Sequence, residues 1–328
     1  MTIVGYVNNS IQTHPVLCPS STNDKVHQPL KTLKPSAWLS VSNAPQWRHF
    51  VEQEIGFVLP DEQLQWLLNA VDNTARVKGL SLDELWTAVQ INSVIRQRLI
   101  DTVLISESRF FRHLPSIEFV AELAELTNQQ PTPLSTHVDK DTATPFTPFN
   151  IWSVGCSTGQ EVWSLVMSLA AKQLNDFTVL GTDVSAQGLA QARAGQYGFR
   201  QCRPIPQSCQ QFIKPITGTD NLINSSLHTV SESTWQVDLA LRQYVNFAWH
   251  NIFTQEMPTL DLQQVIICQN VLIYFRQFDQ RDILARLAAQ CAVGGHIILA
   301  PGEAFWWRPH NMRRINHSKV NVWQKISA

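Results

Sequence analysis

The segment Ile151-Trp152-Ser153-Val154-Gly155-Cys156-Ser157-Thr158-Gly159-Gln160-Glu161 constrains the fold more than any other. An apolar run enters a turn with two glycines and leaves into a helical pattern that begins with an acid. The same rhythm continues from Asn150 onward. Strands are expected at Ile151–Val154, Phe177–Thr182, Val245–Trp249, Val265–Cys268 and His296–Ala300, with Lys319–Trp323 as a final edge strand. Helices are expected at Glu161–Gln173, Ala186–Ala194 and Asp279–Ala289. Strands alternating with helices predict an α/β fold built on a doubly wound, mostly parallel sheet. A polar stretch over 199–244, with turn signals at Pro204, Pro206, Pro215 and Gly218, predicts an inserted β-rich lobe.

The chain ahead of the sheet reads differently. Residues 1–44 are rich in Ser, Thr, Asn, Pro and Lys and lack an apolar period, so a flexible arm is expected. From 45 to 112 the pattern is all helical. Leu64, Leu67, Leu68, Val71 and Ala75 share one face of a helix over Asp61–Ala75. Lys78-Gly79 ends it, and Ser81 with Glu84 forms a capping box for the next helix. A third helix is expected over Ser93–Leu104. Another, over Ser116–Leu126, leads into a Pro- and Thr-rich connection at 128–149. The expected domains are therefore a helical unit at 45–112 and a sheet domain at 113–328.

Charge and composition exclude several classes. With 25 Lys+Arg against 26 Asp+Glu, net charge is −1, so there is no long-range attraction for nucleic acid or an anionic membrane. The longest apolar runs fall far short of the roughly 20 residues that span a bilayer. The first residues have neither a basic region nor a long apolar one, so no signal peptide is expected. The six cysteines form no C-x-x-C pair, which suits a reduced, cytoplasmic chain without a disulfide framework or a metal site.

Three clusters carry chemistry. The first is the strand–turn–helix above, with Asp183 ending the next strand 24 residues after Gly159. Ligands of such folds bind at the carboxyl ends of the strands where sheet order switches. Gly155 lets the backbone approach a ligand, Glu161 can accept hydrogen bonds from an ammonium, and Asp183 can meet a ribose diol. A cationic nucleoside bearing an amino acid, S-adenosylmethionine, fits this pair of acids. The same letters also match G-x-S-x-G, a hydrolase nucleophile elbow with Ser157 as nucleophile and Asp183 with His296 or His310 as its partners, although here the motif opens the sheet and Asp183 comes early for a triad.

The second cluster is Ser106-Glu107-Ser108-Arg109-Phe110-Phe111-Arg112-His113, an anion-contacting hinge or a solvated turn, with His113 expected to face solvent. The third is Cys268-Gln269-Asn270-Val271-Leu272-Ile273-Tyr274-Phe275, a buried strand ending in polar residues and a loop with one tyrosine. Asn251, just after Val245–Trp249, is a similar strand-end polar residue.

Together with Gly181-Thr182-Asp183, His250-Asn251-Ile252 and Ala192-Arg193-Ala194-Gly195-Gln196-Tyr197, these clusters follow the order seen in CheR-type chemoreceptor glutamate methyltransferases. The chain resembles that family over about 45–328, and its type IV pilus-associated, PilK-like branch in particular. The resemblance implies a Rossmann-like methyltransferase domain with a small N-terminal all-α domain and an inserted β-rich lobe. It implies S-adenosylmethionine as cofactor and S-adenosylhomocysteine as product, held by Ser106, Ser108, Arg112, Gly155, Glu161, Asp183, Asn251, Ile252, Asn270 and Val271. Arg112 and Tyr274 would serve the reaction. The implied partner is the cytoplasmic domain of a transmembrane chemoreceptor, methylated by a monomer. Four positions depart from the family pattern. Ser106 and Ser108 stand for Asn and Thr, Gln160 for the first of two acids, and Gln269 for Arg. Those departures leave a second reading, a weak or inactive S-adenosylmethionine-binding regulator.

Overall fold

The computed structural model describes residues 44–104, 107–129, 148–216, 234–254 and 256–328. The expected arm at 1–44 thus lies outside the described residues except for Ala44, as does most of the 128–149 connection.

Four helices precede the sheet: α1 (Ala44–Ile55), α2 (Leu64–Lys78), α3 (Leu82–Ile91) and α4 (Ser93–Val103). Their apolar faces meet in a core that includes Trp47, Leu67, Val71, Leu85, Val89 and Leu99. Gly79 stops α2 in the left-handed conformation, φ 66°. At the start of α3 the Ser81 amide donates to the Glu84 carboxylate (2.8 Å) and the Glu84 amide to the Ser81 hydroxyl (3.3 Å). The reciprocal cap read from the sequence is therefore formed.

Helix α5 (Leu114–Gln129) leads to the sheet domain. There the elements run β1 (Phe149–Val154), α6 (Gln160–Ala171), β2 (Phe177–Asp183), α7 (Ala186–Ala194), β3 (Gln196–Gly198), α8 (Phe199–Cys202), β4 (Ile213–Pro215), β5 (Thr234–Val237), β6 (Val245–Trp249), β7 (Gln263–Cys268), α9 (Gln277–Gln290), β8 (Cys291–Leu299), β9 (Met312–Ile315) and β10 (Asn321–Lys325). Seven strands form one sheet in the order β6-β2-β1-β7-β8-β10-β9. The first five are mutually parallel; β10 runs antiparallel to β8, and β9 antiparallel to β10. The chain goes from β1 outward to β2 and β6, then returns to start again at β7 on the other side. The switch point lies between β1 and β7, and the crevice opens at their carboxyl ends.

Every residue of β1 is buried, as a central strand covered on both faces requires. Its side chains alternate between two cores. Ile151 joins Leu165 of α6 and Ile117 of α5, whereas Trp152 joins Leu284 and Leu287 of α9. Phe110 and Phe111 pack into the first of these cores. The fold is the Rossmann-like α/β arrangement expected, with a helical unit ahead of it.

Two details differ from expectation. The terminal strand is not an edge: β10 lies between β8 and β9, and β9 is the outer strand. Met312-Arg313-Arg314-Ile315 carries two exposed arginines, as befits an edge, and so lacks an apolar signal. The inserted lobe is a three-stranded antiparallel sheet in the order β3-β5-β4, and it begins at Gln196, ahead of the polar stretch.

Candidate functional site

The crevice at the switch point is a cavity where three parts of the chain meet. From the sheet domain come Gly155, Glu161, Asp183, Asn251, Ile252, Asn270, Val271 and Tyr274; from the connection after α4 come Ser108 and Arg112. Ile55 and Phe57 of the helical unit close one side. Ser106 lies outside the described residues.

Gly155 follows β1 with φ 69°, and a Cβ there would fall 2.4 Å from Val271 Cγ2. The first turn and the loop after β7 can approach this closely only because the position is glycine. Asn270 has φ 59°, a left-handed conformation that asparagine tolerates better than most residues and that is common where loops shape a site. The buried Glu303 accepts a hydrogen bond from the Ala300 amide on Oε2 (2.9 Å), its Oε1 has no partner among the described residues, and burial raises its pKa.

The two acids sit in different surroundings. Asp183 accepts the Ser157 amide on Oδ2 (2.8 Å) and the Ser185 amide on Oδ1 (2.7 Å). It therefore ties β1's turn to the start of α7, and each oxygen keeps one lone pair for a ligand. Among the described residues Glu161 accepts only the Ser153 hydroxyl (2.7 Å). Burial raises its carboxyl to about 7, against the opposing pull of the Ser153 bond and the Arg112 charge. Among the described residues no salt bridge reaches it, so it is a buried acid waiting for a cation.

Arg112 donates through Nη1 to the Glu107 carbonyl (2.8 Å), which leaves the rest of its fork available to the cavity. The Tyr274 ring stacks on Phe57, with centroids 4.4 Å apart and planes at 19°. The Asn251 amide group donates to the Glu54 carbonyl (2.7 Å) and accepts from the Phe253 amide (3.1 Å), so it holds α1 against the sheet domain.

Sequence reasoning missed Phe57, because nothing local marks a residue whose role depends on docking across the chain. His113 departs from expectation: it is half-buried and lines the cavity. It lies in the turn at 110–113 that leads into α5, where Phe111 takes φ 50°. Among the described residues the hydrolase reading finds no base bonded to Ser157: neither His296 nor His310 lines the cavity, His250 Nε2 pairs with the Glu256 carbonyl, and His113 Nδ1 pairs with Ser116.

A switch-point cavity with two acids, an arginine and a close glycine turn, on a sheet of this order, suits a cationic nucleoside cofactor such as S-adenosylmethionine. Glu161 would meet its ammonium, Asp183 its ribose hydroxyls and Arg112 its carboxylate. The sequence profile of the family described as "CheR methyltransferase, SAM binding domain" matches residues 106–321, and the chain belongs to that family. It is 22% identical over 293 residues to chemotaxis protein methyltransferase Cher2 of Pseudomonas putida, covering 85% of this chain and 96% of that protein. It is 26% identical to chemotaxis protein methyltransferase 1 of Pseudomonas aeruginosa, covering 81% and 92%. With the chemotaxis protein methyltransferase of Escherichia coli it shares 24% identity, covering 78% and 82%. None of these three is described as pilus-associated.

Proposed function

We propose that this protein methylates glutamate side chains in the cytoplasmic domain of a transmembrane chemoreceptor, forming γ-methyl esters. One observation carries the reading. In a chain of this family, Arg112, Glu161, Asp183 and Tyr274 line a single cavity whose mouth borders the helical unit. When bound, S-adenosylmethionine supplies a methyl group on a sulfonium, the S–CH3 bond breaks as the O–CH3 bond forms, and S-adenosylhomocysteine is released.

The acceptor is a carboxylate with a reference pKa of about 4.3, so it is ionised at neutral pH and needs no general base. The work left to the protein is orientation and exclusion of water. Tyr274, its ring held flat by Phe57, would aim its hydroxyl at one acceptor oxygen. Burial raises the Tyr274 phenol above its ordinary value, so it stays protonated and donates. Arg112 would hold a carboxylate by its free fork. Glu161, ionised by the ammonium, and Asp183, through its spare lone pairs, would fix the cofactor.

Partner recognition draws little on charge. Residues 61–112 hold six Lys+Arg against seven acids, so steering towards an acidic receptor helix is weak. Among the described residues no helix is long and apolar enough to cross a membrane. The protein would act as a cytoplasmic monomer. The test is transfer of a tritiated methyl group from cofactor to candidate receptors, read as base-labile label. Cofactor binding without label on any receptor would support the regulator reading instead.

A further inference from the structure

Gln269 stands at the end of β7, where the family resemblance would place an arginine. Its Nε2 lies 3.2 Å from the Leu299 carbonyl and 3.0 Å from the Ser116 hydroxyl. A carbonyl oxygen only accepts, so the amide nitrogen faces it and the orientation of Gln269 is fixed. Gln269 therefore donates to Ser116 as well. Ser116 is fully buried, and its oxygen lies 2.7 Å from His113 Nδ1. If Nδ1 carried a proton and donated, the serine hydrogen would be left buried and unpaired. If serine donates, the buried Ser116 hydroxyl, the Gln269 amide nitrogen and His113 Nδ1 are all paired. His113 is then neutral with its proton on Nε2, and burial pushes its pKa down, in the same direction. Nε2 has no hydrogen-bond partner among the described residues, and the ring lines the cavity next to Arg112.

We propose that His113 is a further ligand-contact residue, whose Nε2–H, locked in place by Gln269 and Ser116, donates to a carboxylate in the cavity. The inference rests on the methyltransferase reading above. Two carboxylates meet there, that of the methyl acceptor and that of the cofactor's amino-acid end. A neutral donor beside Arg112 adds direction to a site that already has charge. The lock also gives Gln269 a role that an arginine would not fill in the same way, since the buried relay it starts ends on a neutral ring.

The experiment combines three readouts on the full chain. Nitrogen-15 correlation spectra of histidine-labelled protein report which ring nitrogen carries the proton. Calorimetry with S-adenosylhomocysteine reports the cofactor end, and transfer kinetics on a receptor report the acceptor end. Wild type should show His113 protonated on Nε2 alone, and Ser116→Ala should show a mixture of tautomers. His113→Phe, with its fold checked by circular dichroism, should raise one constant by about tenfold or more. A raised Kd for S-adenosylhomocysteine assigns the cofactor carboxylate, and a raised acceptor KM assigns the acceptor. His113→Gln, which keeps a donor, should recover much of the loss. A proton on Nδ1 in wild type, or both constants unchanged in folded His113→Phe, overturns the proposal. If wild type labels no receptor, the receptor reading fails, and unchanged S-adenosylhomocysteine affinity in His113→Phe then overturns this one separately.

Discussion

Phe57 and Tyr274 stack face to face across the boundary between the helical unit and the sheet domain, 4.4 Å between centroids. Aromatic pairs of this kind contribute about 0.5–1.5 kcal/mol beyond area burial. Tyr274→Phe keeps the stack and removes only the hydroxyl. Affinity for S-adenosylhomocysteine should stay near wild type while methyl transfer falls at least about tenfold, the loss of one hydrogen bond to a charged acceptor. Phe57→Ala frees the tyrosine ring and should lower transfer as well, with the hydroxyl still present. Calorimetry and initial-rate assays on the two variants check this. Full transfer by Tyr274→Phe would remove the hydroxyl from the reaction.

Asp183 is expected to behave as more than a ribose contact. Its oxygens hold the Ser157 and Ser185 amides, so Asp183→Ala strands two amides beside the cavity. Each buried donor left unpaired costs about 1–3 kcal/mol. Thermal denaturation should show a clear drop in Tm, together with weaker S-adenosylhomocysteine binding. Asp183→Asn keeps an acceptor for one amide and should lie between wild type and alanine in both measurements.

Gly155→Ala tests the close approach of the two loops. The new methyl would meet Val271 Cγ2 at 2.4 Å, at a backbone φ of 69°. The left-handed conformation alone costs a non-glycine residue roughly 1–2 kcal/mol. Lower stability and a large loss of cofactor affinity are expected, and Val271→Ala in the same chain should restore part of both. No recovery in the double variant would mean that the strain lies in the backbone alone.

Cofactor binding should depend on pH through Glu161. In the free protein burial holds this carboxyl at about 7, so near neutrality it is partly protonated. The bound ammonium favours the ionised form. Below the free-state value, binding must therefore expel a proton, and affinity should fall towards roughly tenfold per pH unit. Above that value affinity should level off. Calorimetric titration of S-adenosylhomocysteine across about pH 6 to 8 measures this slope, and Glu161→Gln should flatten it and weaken binding at the alkaline end. A wild-type profile without slope would leave another group to receive the ammonium.

What the sequence disclosed follows burial. Strand β7 is covered on both faces, so Val265–Cys268 reads as an unbroken apolar run and was legible. Helix α3 announced itself through Ser81 and Glu84, a local device that needs no tertiary partner. Strand β9, with Arg313 and Arg314 facing solvent, had no such signature and was found only through its pairing with β10. Asp183 stood out because a polar residue ending a strand has few structural reasons to be there, Glu161 because an acid opens a helix after a glycine turn, and Arg112 through the family resemblance of its Phe-Phe-Arg segment. Phe57 and the Gln269–Ser116–His113 chain did not, since each depends on segments far apart in sequence. An aromatic residue in an interhelical loop, or a glutamine beside a strand, carries no local sign of its partner.

The Val58 amide donates to the Tyr274 carbonyl (2.9 Å), and Gly56 beside it takes φ 75° where a Cβ would strike Phe253 and Phe275. This grip is made by main-chain atoms, which mutation of surface residues does not erase. As long as the glycine turn persists, the exposed faces of α2 and α3 can change without moving the tyrosine. The helical unit and the cavity it borders can then diverge at different rates within one chain, joined through a turn that depends on a single glycine.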